Sequence, residues 1–208
     1  MSDQQAHELD QSTDMEPVHG TIDLDIPAEV LWACFRHANW WPRWNPCMWW
    51  ALNDDLVLGQ QLIWAFEPIQ WWYLYRLPGL ATLVEVEPQR KVTWEITVLP
   101  GFYARHTYSI EDLGNGRSRF GSWEKATGPT FQALKSFWLA HFVFVKNESL
   151  KGAQDLEAIY KRTGLLDTTT LPDKNYTPSI IQLVALFNII VNVLSIIGNL
   201  FKPRRSQQ

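Results

Sequence analysis

The 208-residue sequence has few of the residues on which disulfide scaffolds and metal sites depend. Its two cysteines, Cys34 and Cys47, show no CxxC or Cys/His spacing, which predicts free thiols and no structural metal. Positive charge is not in excess either, since 18 Lys and Arg against 22 Asp and Glu give a net charge of −4, and nucleic acid is therefore not an expected partner. HExxH, GxSxG, P-loop and GxGxxG patterns are all missing, so no cofactor is expected.

The chain also begins without the basic and apolar regions of a secretory signal. Residues 1–18 are polar and acidic, which predicts a disordered arm and a main domain that stays in the cytoplasm. Residues 163–179 are rich in Thr, Pro and Asp without a period, which predicts a linker. The predicted organisation is thus the arm, a domain over 19–162, the linker, a hydrophobic segment over 180–201 and a basic tail over 202–208.

Tryptophan is the residue that the sequence has in excess. Twelve are present, and six of them lie between Trp32 and Trp50. Aromatic surface on this scale must be buried, must line an apolar cavity or must contact lipid. The clustered tryptophans cannot all face one cavity. Two interpretations stay open: core and cavity wall, or an apolar mouth, shared with Trp71, Trp72 and Tyr73, that touches a bilayer.

The periodicity of apolar residues predicts the order of the secondary structure. Alternation predicts a half-buried strand over 21–26 and four or five further strands between 61 and 125, with a short helix from Pro27 after the first strand. From 130 to 162 the period becomes helical without an internal proline. This helix carries an apolar stripe that consists of Leu134, Trp138, His141 and Val145. The order predicts an α+β domain in which a curved antiparallel sheet wraps a long C-terminal helix, followed by a C-terminal hydrophobic helix.

Several segments in this order carry a family pattern. They are IDLDIPAEVLW (22–32), WPRWNP (41–46), VEVEPQRKVTWE (84–95), HTYSIEDLGNG (106–116), SWEKATGP (122–129) and SLKGAQDLE (149–157). Together they resemble the SRPBCC helix-grip superfamily, which includes START lipid-transfer domains, pollen-allergen-type ligand carriers and polyketide cyclase/dehydrase-like proteins. The resemblance covers residues 19–162 and implies the helix-grip fold, which hosts binding proteins and enzymes alike. Two departures, an apolar connection over 69–79 and the hydrophobic tail, favour membrane association.

A helix-grip cavity lies between the concave sheet face and the long helix. The alternation of residues along each strand predicts which side chains face this cavity. The aromatic candidates are Trp64, Phe66, Trp94, Tyr108, Phe120 and Trp138. The polar candidates on the same surfaces are His106, Glu124 and His141. A carboxylate beside an imidazole can act as a general acid–base. Two alternatives are favoured over catalysis: a satisfied polar pair with a structural role, or a polar group that anchors one end of a lipid-like ligand.

Two functions follow as hypotheses. The favoured one is a membrane-associated protein that binds, or binds and transfers, a hydrophobic or lipid-like small molecule in an aromatic-lined cavity. The alternative is a metal-independent enzyme of polyketide cyclase or dehydratase type, in which His106, Glu124 and His141 are the acid–base groups.

The segment from Ile180 to Phe201 is predicted to associate with a membrane. Its 22 residues carry no charge, and at about 1.5 Å per residue they reach roughly 33 Å, enough to span a bilayer core. Its small polar residues form a narrow helical seam, namely Asn188, Asn192, Ser195 and Asn199. Such a seam favours helix–helix hydrogen bonding, hence self-association. An interfacial helix and a helix docked on the protein itself stay as alternatives, and the basic tail leaves the orientation open.

Overall fold

Turns and apolar alternation divide the chain into short elements in the computed structural model, which describes residues 15–67 and 79–174. Within these ranges there are seven strands and four α-helices. In chain order they are β1 (Val18–Leu24), α1 (Ala28–Phe35), α2 (Trp41–Trp44), β2 (Met48–Ala51), β3 (Gln61–Phe66), β4 (Gly79–Glu87), β5 (Lys91–Leu99), β6 (Phe102–Gly114), β7 (Arg117–Thr127), α3 (Pro129–Ala133) and α4 (Lys135–Thr163). A 3-10 turn, Ala38–Trp40, precedes α2.

The strands form one curved antiparallel sheet in the order β1-β7-β6-β5-β4-β3-β2. The long hairpin of β6 and β7 closes through Asn115 and Gly116, whose φ angles of 53° and 73° are those of a primed hairpin turn. Helix α4 packs against β1 and β7. Gly20 permits this close approach, because a Cβ there would lie 2.9 Å from Leu150 Cδ1. The α+β architecture predicted from the sequence is therefore confirmed, and it has the form of a helix-grip fold.

The inward face of the two longest strands was predicted correctly. On β6 the buried residues alternate as Ala104, His106, Tyr108 and Ile110, and on β7 they alternate as Ser118, Phe120, Ser122 and Glu124. The cationic side chains of β7 lie on the opposite face, where Arg119 binds Asp23 across the strand pair at 2.6 Å. The long charged side chains need water, and this requirement determines which face of the β6–β7 hairpin is exposed and which is buried.

The long helix differs from the prediction at its start. Residues 130–162 are not one helix, because the chain breaks at Leu134 (φ −113°, ψ 15°) between α3 and α4. Leu134 is 42% exposed and so does not belong to the buried stripe. The break turns α3 so that Phe131 is fully buried against Phe102 and Phe142. Burial of this ring outweighs the helical continuity that the sequence periodicity suggests. Strand β2 (Met48–Ala51) was not predicted from the sequence either.

The tryptophan-rich segment fills one end of the concave face. Trp41 is fully buried and donates a hydrogen bond from Nε1 to the main-chain oxygen of Phe35 at 2.7 Å. Trp44 is buried as well, and its ring lies 6.2 Å from that of Phe35. For these two tryptophans the core interpretation holds. Trp71, Trp72 and Tyr73 lie outside the described residues.

The two ends of the described chain are packed. Met15 is buried in the smaller of two hydrophobic clusters, which contains Phe102 and Phe131. Leu166 and Leu171, in the part of the predicted linker that the structure describes, are buried in the main cluster. Over residues 15–67 and 79–174 no helix has the length and apolar character needed to cross a membrane. The predicted membrane helix over 180–201 and the basic tail over 202–208 lie outside this part of the chain.

Candidate functional site

A cavity of about 360 Å³ opens between the concave sheet face and the first turns of α4. Its walls come from five strands and one helix, and most of them are apolar. The lining residues are Trp64, Phe66, Gly79, Leu80, Trp94, Ile96, Thr97, Val98, Leu99, Ala104, His106, Glu124, Trp138, His141 and Phe142. Gly79 matters for the shape, since a Cβ there would lie 3.0 Å from the Trp64 ring. The cavity therefore joins a large apolar surface to a small group of titratable side chains.

Seven of the nine predicted lining residues reach this cavity: Trp64, Phe66, Trp94, His106, Glu124, Trp138 and His141. Tyr108 and Phe120 do not. Their rings lie 5.4 Å and 6.2 Å from Phe35, in the filled end of the concave face. Strand parity predicted correctly that both point inward, but the ring of Phe35 packs over them and fills the space that a cavity would need.

His106 and Glu124 form the polar centre of the cavity wall. They lie opposite each other on β6 and β7, with His106 Nδ1 3.2 Å from Glu124 Oε2. This is an ion-pair distance, but the ring N–H direction does not give the contact hydrogen-bond geometry. On its other edge, His106 Nε2 lies 3.4 Å from Ser122 Oγ. The imidazole also stacks on Trp94, with ring centroids 4.5 Å apart, so its orientation is fixed.

His141 joins this pair from α4. Its ring lies edge-on to both Phe66 and Trp138, with centroid distances of 5.4 Å. The pKa of His141 is lowered from the ordinary 6.5 to about 4, chiefly because the ring is buried; Glu124 opposes this change and His106 adds to it. His141 is therefore neutral at pH 7, and it lines the same cavity as His106 and Glu124.

The cavity wall holds polar atoms without partners. In the described part of the chain, seven buried side-chain polar atoms lack a hydrogen-bond partner, and three belong to cavity-lining residues: Trp64 Nε1, His106 Nδ1 and Glu124 Oε2. An unsatisfied buried polar group costs about 1–3 kcal/mol. Such atoms on a cavity wall indicate a place where a bound molecule supplies the missing hydrogen bonds.

A second buried polar cluster was not predicted. The Tyr108 hydroxyl lies 2.8 Å from Ser149 Oγ and accepts a hydrogen bond from Asn45 Nδ2 at 3.1 Å. The Cys47 thiol donates to Asn45 Oδ1 at 3.0 Å. This network joins the segment after α2 to α4 and β6, and its groups satisfy one another, so its role is structural. Ser149, a polar residue four positions after Val145 on the apolar stripe of the helix, is the sequence feature that could have predicted this cluster.

Both cysteines are free, as the sequence predicted, and the structure shows in addition that both are buried. Burial raises the pKa of Cys34 to about 12 and that of Cys47 still further. Neither thiol is therefore suited to nucleophilic chemistry. Nowhere in residues 15–67 and 79–174 do three or more His, Cys, Asp or Glu side chains converge as a metal site requires.

The sequence matches no known family model and no curated protein. Solved structures with the same fold do exist. A hypothetical protein of Helicobacter pylori is 15% identical, with 73% of this chain and 93% of that chain covered and a TM-score of 0.58. The protein XoxI of Bacillus cereus is 15% identical over 69% and 96%, with a TM-score of 0.53.

A point mutant of norcoclaurine synthase from Thalictrum flavum, in complex with a transition-state analogue, is also similar. It is 13% identical, with 70% of this chain and 96% of that chain covered and a TM-score of 0.50. The helix-grip fold that the sequence resemblance implies is thus confirmed. Identities this low show the fold alone, and the function has to be argued from the cavity.

Proposed function

We propose that this protein binds a compact, mainly apolar small molecule in the cavity between the sheet and α4. The observation that carries the proposal is a cavity with mostly apolar walls whose lining residues include three buried polar atoms without a hydrogen-bond partner among the described residues. Small-molecule sites combine these two properties, since apolar walls supply affinity and a few polar groups fix the orientation.

The volume favours a compact ligand over a long one. About 360 Å³ lies at the low end of the roughly 300–1,000 Å³ of small-molecule pockets. Phe35 and Trp41 fill the other end of the concave face, and Trp41 lies 5.6 Å from Trp94, the ring that separates the two ends. A fused ring system or a short-chain molecule suits this space better than a two-chain lipid.

A cavity-filling substitution tests the proposal. Ala104 lines the cavity and is 3% exposed, so Ala104→Leu should occupy part of the cavity with a larger apolar side chain. Ala104 also packs in the cluster that contains Phe102 and Phe142, so a thermal melt should first show that the variant is folded. The neutral probe N-phenyl-1-naphthylamine should bind the parent protein, with fluorescence transfer from the lining tryptophans, and should bind the variant at least tenfold more weakly. Thr107→Leu is the matched control, because Thr107 lies on the same strand but on its outer face. Equal binding by the parent and Ala104→Leu would exclude this cavity as the site.

Acid–base catalysis is a second candidate function. Its supporting observation is the carboxylate of Glu124, 3.2 Å from the imidazole of His106 at the wall of an apolar cavity. A cyclase or dehydratase would use this pair together with His141. If the protein converts a bound ligand, substitution of both histidines by glutamine should stop turnover and leave binding intact. Binding without turnover by the parent protein would leave the binding function alone.

Membrane association through residues 180–201 is a separate proposal, with the main domain on the cytoplasmic side and self-association through the seam from Asn188 to Asn199. Its support is the length and lack of charge of the segment. In alkaline carbonate extraction of cells that express the full chain, the protein should stay in the membrane pellet. Its release into the supernatant would refute the spanning helix.

A further inference from the structure

The polar part of the cavity contains a buried carboxylate whose Oε2 atom makes no hydrogen bond to the described residues. Glu124 is 9% exposed, so its carboxylate is held almost fully away from water. Oε2 of this carboxylate has no hydrogen-bond donor among the described residues. No Lys or Arg is among the described residues that line the cavity. A ligand that donates a hydrogen bond to Oε2 would therefore satisfy this carboxylate.

The position of His106 narrows the chemistry of that donor. Its Nδ1 atom is also unpartnered, while its Nε2 atom lies near Ser122 Oγ. Nδ1 and Glu124 Oε2 are 3.2 Å apart, so a single ligand oxygen on the cavity side can lie within hydrogen-bond distance of both atoms. A hydroxyl group both donates and accepts, and it can therefore serve the carboxylate and the imidazole together.

Other polar groups fit less well. A carboxylate or phosphate would bring a second negative charge beside Glu124 in an apolar cavity whose described walls carry no lysine or arginine, and burial of unpaired like charges is costly. A pure hydrocarbon would leave both unpartnered atoms unsatisfied. His141 offers no compensating charge to an acid, because the low pKa that burial gives it keeps it neutral at pH 7.

We propose that the ligand is a neutral hydroxyl-bearing ring compound, an alcohol or a phenol, whose hydroxyl donates to Glu124 Oε2 and faces His106 Nδ1. This inference rests on the proposed binding function and specifies the class of ligand. It places the hydroxyl at the β6–β7 wall and the ring system against Trp64, Trp94 and Trp138.

Three ring compounds of equal skeleton test the inference on the parent protein. Naphthalene, 2-naphthol and 2-naphthoate should be compared by calorimetry and by displacement of N-phenyl-1-naphthylamine. We expect 2-naphthol to bind at least tenfold more tightly than either of the others, since a hydrogen bond to a charged group is worth about that factor. Equal affinity for naphthalene and 2-naphthol, or a preference for 2-naphthoate, would overturn the inference and leave the binding function standing. No binding of any of the three by a protein that binds N-phenyl-1-naphthylamine would also overturn the inference, whereas no binding of that probe either would refute the binding function itself.

A substitution at Glu124 tests whether this carboxylate causes the preference for 2-naphthol. Glu124→Gln removes the charge and keeps the shape, so the preference for 2-naphthol over 2-naphthoate should fall by about tenfold. Glu95→Gln is the matched control. Glu95 is a carboxylate on strand β5, 3% exposed and paired with Arg105, and it is not among the described residues that line the cavity. A loss of preference that is equal in both variants would refute the role of Glu124, and thermal melts would show that each variant is folded.

Discussion

Replacement of His141 by glutamine should remove an acid-sensitive part of the stability of the fold. His141 is 4% exposed, and burial lowers its pKa to about 4 in the folded protein, against 6.5 for an exposed histidine. Between these two values the unfolded chain binds a proton at this position and the folded chain does not. Because the unfolded state binds more protons, the free energy of unfolding must fall as the pH falls through this range.

The magnitude follows from the two pKa values. One pKa unit corresponds to about 1.4 kcal/mol, so the gap between 6.5 and about 4 amounts to about 3 kcal/mol. About 2 kcal/mol of this is lost between pH 7 and pH 5, and the loss is complete only below the folded-state pKa. This is a large part of the stability of a typical domain.

Urea unfolding at several pH values between 7 and 5 measures the effect. The free energy of unfolding of the parent should fall by about 2 kcal/mol more than that of His141→Gln over this interval. His19→Gln serves as the control, since His19 is exposed and its loss should leave the pH dependence of the parent intact. Identical slopes for the parent and His141→Gln would refute the assignment of the acid sensitivity to this residue.

Three further predictions concern the parts of the fold around the cavity. Gly152→Ala should lower the free energy of unfolding by about 1–3 kcal/mol in urea titrations, because the added Cβ would overlap the main chain of α2; Lys151→Ala, on the exposed side of the helix, should change it by less than about 0.5 kcal/mol. Ser149→Ala should cost about 1–3 kcal/mol, since it leaves buried polar partners unsatisfied. Cys34 and Cys47 should resist a water-soluble thiol reagent in the folded protein and react once urea unfolds it; rapid labelling without urea would contradict their burial.

The orientation of the strands could be predicted because it depends on local pattern. Arg117, Arg119 and Lys125 alternate along β7, and their hydration requires one face to be wet. Phe120 and Glu124 then have to lie on the opposite, buried face of β7, as the structure shows. The same reasoning placed His106 and Glu124 on one face of the sheet, and the register shows in addition that they lie directly opposite each other.

The extent of the cavity could not be predicted in this way. Periodicity indicates which face of a strand is buried but not which element covers it. Phe35 and Trp41 cover Tyr108 because α1 and α2 fold back onto β6, with rings 5.4 Å and 5.7 Å from the tyrosine. This contact joins segments about 70 residues apart in the chain, and no local pattern encodes it. The break at Leu134 has the same origin, since it follows from the burial of Phe131 against β6.

Buried polar atoms have hydrogen-bond partners at the filled end of the concave face and lack them at the open end. This difference distinguishes the candidate site from the core. In the filled end, the hydroxyl of Tyr108 lies within hydrogen-bond distance of both Asn45 and Ser149. In the open end, two polar atoms of His106 and Glu124 face each other without hydrogen-bond geometry. Each such atom costs about 1–3 kcal/mol in the free protein. A ligand that supplies the missing hydrogen bonds recovers that free energy on binding. The same atoms that lower the stability of the free domain therefore give the cavity its selectivity.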